Sequence, residues 1–212
     1  MAITAIPIQP VESQSGNQWR AFRIIEENAQ TFKAGTLVSV AADGGIQAWN
    51  GTTYGVNTAA PALGSVVGVS YEAGSSLATT GVGAPVPFSP VTGLGATLTF
   101  GSVPNEACAK NIPHGAPLND GRVGFILPSA DTIFSATFGN AGSPATPAVT
   151  NVGKQYGMTI DTGGNFWYVD SSKSTFGTNL LVTVVGLDLR DVPAAGTRVL
   201  IQFISYAVYL LG

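Results

Sequence analysis

The segment spanning residues 154–206 constrains the fold most, because three strand patterns follow one another there with turn residues between them. Apolar residues alternate with polar ones on both sides of the turn DTGGN (161–165), which predicts a β-hairpin. Residues 180–189 are nearly all apolar and rich in Val and Leu, which predicts a strand buried on both faces. A third strand is predicted at 198–204. Strands joined by tight turns indicate a small, closed or nearly closed antiparallel unit within residues 140–212.

Shorter strand patterns fill the first part of the chain. Strands are predicted at 36–41, 46–49 and 66–71, with Gly-containing turns at 43–45 and 50–51. Further strands are predicted at 19–25, 123–127 and 132–138. No segment has the apolar spacing of a helix longer than two turns.

Prolines and small polar residues mark the remaining stretches. Residues 1–18 contain Pro7 and Pro10 and show no periodicity, which predicts an extended N-terminal arm, ordered only where it lies on another surface. The stretch NAGSPATPA (140–148) predicts a linker. The chain is therefore predicted to be all-β, with small antiparallel barrel or sandwich units joined by Gly/Pro-rich loops. Its predicted parts are the arm at 1–18, a β-rich domain with long loops at 19–139 and a small barrel-like unit at 140–212.

Charge is scarce in this sequence. Charged residues make up 10% of the chain, against about 25% in an average soluble domain. A surface with so little charge gives little electrostatic repulsion between copies of the protein. The composition therefore favours a protein that works in an assembly. The nine Lys and Arg residues are dispersed, whereas nucleic-acid-binding proteins cluster their cations, so no nucleic-acid partner is expected.

The two ends of the chain lack targeting features. The first fourteen residues have neither the cationic start nor the long apolar core of a signal peptide. The apolar run at 199–212 is shorter than the roughly 20 residues that span a bilayer, so no membrane partner is expected. Synthesis and folding in a cytoplasm are the expectation.

Two residues could form a nucleophilic pair. Cys108 is the only cysteine and His114 the only histidine, and a Cys–His pair is a known nucleophile arrangement. A buried thiol and a loop histidine explain them more simply. One cysteine and one histidine are too few soft ligands for zinc, and a single cysteine excludes an intrachain disulfide. No catalytic residue, cofactor or metal is predicted.

Four aspartates in the C-terminal part could supply acid–base chemistry. Two of Asp161, Asp170, Asp188 and Asp191 could act as the carboxylate pair of a glycosidase. Turn-forming and ion-paired roles are favoured instead, because Asp161 opens a Gly-Gly turn and the last two flank Arg190 at a strand end.

Four aromatic residues could line a sugar site. They are Trp49, Tyr54, Trp167 and Tyr168. Their alternation with polar residues places most of them in the core, where aromatic rings dominate burial.

Several stretches resemble a family of tailed-bacteriophage structural proteins, the head-decoration or capsid cement proteins. They are TFKAGTLVSVAADGGIQAWNGTTYG (31–55), GVSYEAG (68–74), FGSVPNEACAKNIPHGAPLNDGRVGF (100–125), VGKQYGMTIDTGGNFWYVD (152–170), VGLDLRD (185–191) and RVLIQF (198–203). The resemblance implies a non-enzymatic β-rich protein, a homotrimer or homodimer, that binds the major capsid protein on the outside of a shell and locks neighbouring capsomers together. It implies location on the capsid exterior after synthesis in the bacterial host cytoplasm.

Residues near the termini are the predicted contacts with the capsid or with other subunits. They are Trp19, Arg20, Phe22, Arg23, Tyr206 and Tyr209. Deletion of residues 1–18 is expected to weaken attachment and to leave the fold intact. The alternative function is a glycan- or receptor-binding head-fibre or tail-associated module. An enzyme is a third and weaker hypothesis.

Overall fold

A computed structural model of the chain describes residues 1–13, 21–25, 32–41, 44–52, 64–71, 122–126, 132–174, 180–191 and 194–204. Within these ranges the chain forms twelve strands and one 3-10 turn, Val149–Asn151. The strands are β1 (Gln9–Ser13), β2 (Ala21–Ile25), β3 (Leu37–Val40), β4 (Ile46–Ala48), β5 (Val66–Ser70), β6 (Arg122–Ile126), β7 (Thr132–Asn140), β8 (Ser143–Pro144), β9 (Gln155–Ile160), β10 (Trp167–Asp170), β11 (Val182–Leu187) and β12 (Arg198–Phe203). The predicted all-β class is confirmed.

Five strands close into a barrel in the order β7, β10, β9, β11, β12 and back to β7. Neighbours are antiparallel except β7 and β10, which run parallel. β7 closes the ring because it is nine residues long: residues 134–137 pair with β12, and residues 138–139 pair with β10. The predicted barrel architecture is confirmed. The barrel includes β7, which begins at Thr132, ahead of residue 140, where the predicted C-terminal unit begins.

The predicted hairpin around residues 161–165 is confirmed as β9 and β10, which pair through Trp167 opposite Ile160. The Asp161 carboxylate makes the turn: its Oδ1 accepts a hydrogen bond from the Asn165 N–H at 2.8 Å. Gly164 has a φ of 65°, a left-handed conformation that glycine adopts at no steric cost. The sequence pattern and the turn chemistry therefore agree at this site.

Residues 140–148 do not form the predicted linker. Ser143–Pro144 turns back as β8 and pairs with the end of β7 through Asn140 opposite Ser143. The two turn residues, Ala141 and Gly142, have φ values of 46° and 84°, as a two-residue type I′ turn requires. The small polar residues that suggested a linker thus form a tight hairpin.

A second sheet has the order β2, β6, β5, β3, β4 and is antiparallel throughout. The strands predicted at 19–25, 36–41, 46–49, 66–71 and 123–127 correspond to its five members. All the residues of β3 and β5 are buried, so this sheet is covered on both faces along these two strands.

The strand predicted at 180–189 exists as β11, but the prediction that both its faces are buried is wrong. Val182 and Val184 are buried, whereas Thr183, Val185 and Leu187 are only half-buried. A barrel strand has one face toward the interior and one face outside. A bulge between Val184 and Gly186 turns Leu187 back to the inner face, where it lies opposite Val199 and packs against the buried cluster, while Val185 remains half-buried. The run therefore reads as continuously apolar although the strand is not buried on both faces.

One buried cluster combines side chains of the barrel and of the second sheet. Leu37 and Val69 from the sheet belong to the same cluster as Phe134 and Val182 from the barrel. The Trp49 and Trp167 rings are 4.5 Å apart between their centroids and make the same connection. The predicted boundary at residues 139 and 140 therefore falls inside β7 and within a shared core.

The N-terminal segment is extended, as predicted, and it lies on the chain itself. Ile3 and Ile8 are buried. The Ile8 N–H donates to the Gly35 carbonyl at 2.9 Å, next to the second sheet, while β1 pairs with β7 of the barrel. The expectation that residues 1–18 can be deleted without harm to the fold is corrected, because residues 1–13 fasten both parts of the molecule.

The close approach of the N-terminal segment to Gly35 gives a testable prediction. Gly35 and Gly44 have nearly equal φ values, 87° and 86°, but a Cβ on Gly35 would lie 2.4 Å from the Pro7 Cβ and one on Gly44 would meet nothing within 4 Å. Both alanine variants carry the backbone strain of positive φ, about 1 kcal/mol. Gly35→Ala is therefore expected to be the less stable by a further 1–3 kcal/mol or so, from overpacking, in urea unfolding. Equal losses would contradict the described contact.

Candidate functional site

The predicted contact residues fall largely outside the part of the chain that the structure describes. Trp19, Arg20, Tyr206 and Tyr209 lie there, as do Cys108, His114 and Tyr54. Phe22 and Arg23 belong to β2, whose backbone pairs with β6. The contact prediction stays a prediction.

The predicted core position of the aromatic residues is confirmed for three of the four. Trp49, Trp167 and Tyr168 are all buried. The Tyr168 hydroxyl accepts a hydrogen bond from the Gly142 N–H at 2.8 Å, and burial raises the pKa of Tyr168. These three rings are therefore unable to stack on a sugar at the surface.

Asp161 and Asp170 hold turns together. Asp161 Oδ2 accepts a hydrogen bond from the Ala5 N–H at 3.2 Å, in addition to the bonds inside its own turn. Asp170 Oδ1 accepts from the Ala141 N–H at 2.9 Å and from the Ser172 hydroxyl at 2.7 Å. Burial opposes the ionisation of Asp170, but these bonds outweigh it and lower its pKa. Both carboxylates are structural acceptors.

Among the described residues, charges are most concentrated at the turn between β11 and β12. Asp188 is buried there and accepts hydrogen bonds from two side chains. The Ser135 hydroxyl of β7 donates to its Oδ2 at 2.7 Å, and Arg190 donates from Nε at 2.8 Å to Oδ1 and from Nη2 at 2.6 Å to Oδ2. Arg198 Nε lies 3.7 Å from the same Oδ2. We call Ser135, Asp188, Arg190, Asp191 and Arg198 the Asp188 cluster.

The second carboxylate of the Asp188 cluster completes a chain of alternating charges. Asp191 accepts from Arg198 through two bonds, one from Nε and one from Nη2, both at 2.7 Å. The hydrogen bonds from Arg198 lower the pKa of Asp191. Those from Arg190, which outweigh the opposing effect of burial, hold the pKa of Asp188 well below its usual range. The predicted turn-forming and ion-paired roles of Asp161, Asp188 and Asp191 are thus confirmed.

The lowered pKa values predict acid sensitivity. An unfolded aspartate titrates near pH 3.9, whereas Asp170, Asp188 and Asp191 titrate lower in the fold, so below that pH the unfolded chain binds more protons. The stabilisation is full above about pH 5 and is lost as the pH falls through the folded values. The free energy of unfolding, measured in urea from pH 7 to pH 2.5, is expected to decline below about pH 4. Asp188→Asn should flatten that decline; an unchanged slope would exclude Asp188 as a cause.

Two aliphatic side chains of the described residues are largely exposed. Leu189 is 87% exposed between Asp188 and Arg190, and Val149 in the 3-10 turn is 76% exposed. The 3-10 turn contacts β11, and the Gly153 N–H just after it donates to the Val184 carbonyl of that strand at 2.8 Å. The exposure of Leu189 was not predicted, because Leu189 ends an apolar run that suggested a buried strand.

The described residues contain no group of three or more His, Cys, Asp or Glu that could hold a metal ion. Among the same residues there is no helix of the length and apolarity that a bilayer crossing needs. The described part does contain the hydrogen-bonded Asp188 cluster and, at Leu189 and Val149, two largely exposed aliphatic side chains.

No protein-family model matches this chain, and no curated protein matches its sequence.

Proposed function

We propose that this chain is a structural virion protein that binds the outer surface of a phage capsid and stabilises the contacts between capsomers. The resemblance of residues 31–55 and 152–170 to decoration proteins carries the proposal. A closed barrel that shares its core with a second sheet supports it, because a rigid body loses little conformational entropy on binding.

The proposed mechanism is mechanical. Each copy buries surface against adjoining major capsid protein subunits and so lowers the free energy of the closed shell relative to its parts. Attachment through several copies, as a homotrimer or homodimer, multiplies modest single contacts into firm retention. Low charge favours such contacts, because few ionic groups lose their hydration when the surfaces meet.

Sedimentation with shells tests the proposal. The purified chain is mixed with expanded and unexpanded shells of the phage that encodes it, and its mass in solution is measured in parallel. A trimer or dimer that pellets with expanded shells alone is the expected result. A chain that stays in the supernatant with both kinds of shell contradicts the proposal.

The glycan-binding alternative receives no support from the three described members of the predicted aromatic set. Trp49, Trp167 and Tyr168 are buried, and sugar platforms use exposed rings. Binding of soluble glycans by a chain that ignores shells would nevertheless favour the alternative, so the same protein sample is tested against both.

A further inference from the structure

We infer that Asn50 deamidates spontaneously in the folded protein, through attack of the Gly51 backbone nitrogen on the Asn50 side-chain amide. The two residues follow β4 and are the only Asn-Gly pair in the sequence. Because glycine has no side chain, nothing on residue 51 hinders the approach of its nitrogen to the Asn50 Cγ. The inference is independent of the proposed function, since the reaction needs only water and a base.

The turn holds the Asn50 side chain over the backbone that attacks it. Asn50 Oδ1 accepts a hydrogen bond from the Thr52 N–H at 2.9 Å and another from the Thr52 hydroxyl at 3.0 Å. The first bond closes an Asx-turn, a ring of atoms that includes both the Asn50 Cγ and the Gly51 nitrogen. The two reacting atoms are therefore kept within one small loop.

The same two hydrogen bonds favour the reaction electronically. When the nitrogen adds to Cγ, negative charge develops on Oδ1. Donors already directed at that oxygen stabilise the charge, as the donors of an oxyanion hole do. Thr52 thus assists the reaction of Asn50 as a positioning residue.

The reaction needs only components of the solvent, to which Asn50 is exposed. A solvent base takes the proton from the Gly51 nitrogen, which forms a bond to the Asn50 Cγ. The Cγ–Nδ2 bond breaks, the amide nitrogen leaves as ammonia with a proton from water, and a cyclic succinimide remains. One water molecule then opens the succinimide. Opening at the side-chain carbonyl gives aspartate, and opening at the main-chain carbonyl gives isoaspartate.

The products alter a contact between the barrel and the second sheet. Gly51 lies against Trp167, so closely that a Cβ on Gly51 would be 2.6 Å from the Trp167 Cη2. Trp167 in turn packs against Trp49 of the same buried cluster. Isoaspartate lengthens the main chain beside Gly51 by one carbon, and both products add a negative charge. An aged sample is therefore expected to unfold at a lower urea concentration than a fresh one.

Two other asparagines provide controls, because the nitrogen that would attack each of them is already hydrogen-bonded. The N–H that follows Asn140 donates to Asp170 Oδ1 at 2.9 Å. The N–H that follows Asn151 donates to the Val149 carbonyl at 3.0 Å. Asn140 is exposed, as Asn50 is, so a comparison of these two separates the effect of the turn from that of solvent access.

Peptide mapping by mass spectrometry tests the inference. The purified, folded chain is incubated at mildly alkaline pH and digested at intervals. The peptide that contains Asn50 is expected to deamidate about tenfold faster or more than those with Asn140 and Asn151, because both the missing Cβ and the two donors lower the barrier. An isoaspartate-specific methyltransferase measures the isoaspartate fraction.

Two variants test the chemistry and the role of Thr52. Asn50→Gln is expected to abolish the reaction, because the longer side chain would have to close a larger ring. Thr52→Val removes the hydroxyl donor and keeps the N–H, and it is expected to slow the reaction roughly twofold or more. Thr52 is exposed, so this change leaves the core intact, and thermal unfolding checks the fold of both variants.

Three results would overturn the inference. Asn50 could stay intact in the folded chain while the same chain reacts in urea, which would mean that the fold protects the pair. Asn50 could react no faster than Asn140. Thr52→Val could react as fast as the wild type, in which case the turn gives no assistance. None of these results bears on shell binding, so the proposed function is judged separately.

Discussion

Replacing Ile8 by alanine is expected to lower the free energy of unfolding by about 2–5 kcal/mol, the range for large-to-small changes in a core. Ile8 is 2% exposed and belongs to the cluster that joins the barrel to the second sheet. Ile3→Ala should lower the free energy of unfolding by a similar amount, because Ile3 packs with Tyr168 in a separate buried cluster. Urea unfolding followed by tryptophan fluorescence measures both changes.

Ile6 provides a control for the two alanine substitutions within the same N-terminal segment. Ile6 lies between the two buried isoleucines and is 39% exposed, so Ile6→Ala removes the same atoms from a position half in water. Ile6→Ala is expected to lower the free energy of unfolding by less than about 1 kcal/mol, as most surface substitutions do. If all three variants lost equal stability, the segment would not lie on the body as described. If none lost any, residues 1–13 would act as the free arm that the sequence suggested.

Asp188→Ala is expected to lower the free energy of unfolding by about 2–4 kcal/mol at pH 7, because it removes a buried acceptor and leaves its donors without a partner. The Ser135 hydroxyl of β7 would lose its bond to the β11–β12 turn, and Arg190 would lose both side-chain bonds described here. Because Ser135 lies on β7 and Asp188 lies in the β11–β12 turn, the change loosens the connection between the turn and β7.

The matched control is Asp191→Ala, which removes the more exposed carboxylate of the same cluster. Its side chain is 28% exposed, and exposed ion pairs contribute about 0–1 kcal/mol. The variant is therefore expected to unfold within about 1 kcal/mol of the wild type. If Asp191→Ala lowered the free energy of unfolding as much as Asp188→Ala, the cluster would stabilise the fold as one unit. The contribution of each carboxylate would then not depend on how deeply it is buried.

The sequence predicted those elements whose signals are local. The hairpin of β9 and β10 follows from alternation on both sides of a turn that Asp161 and Gly164 form. The strands of the second sheet were predicted within a few residues of their observed ends for the same reason. Local patterns also placed Asp188 and Asp191 correctly beside Arg190 at a strand end.

Pairing between distant segments was not predictable from such patterns. β1 reads QPVES, which has no apolar alternation, and it is a strand only because β7 lies beside it. The role of β7 in closing the barrel depends on partners on both of its edges, and no local feature of 132–140 identifies them. The exposure of Leu189 was missed because an apolar run does not reveal which of its members face outward.

The contacts of the N-terminal segment with residues far along the chain have a consequence for folding kinetics. The Ala5 N–H and the Asp161 carboxylate that accepts its hydrogen bond are 156 positions apart in sequence, and the Ile6 N–H and the Thr137 hydroxyl are 131 apart. β7 in turn needs β12 to complete the ring. On the ribosome the first residues must therefore wait until most of the chain has emerged. Such long-range pairing predicts slow folding, with unpaired strand edges exposed to neighbouring chains in the meantime.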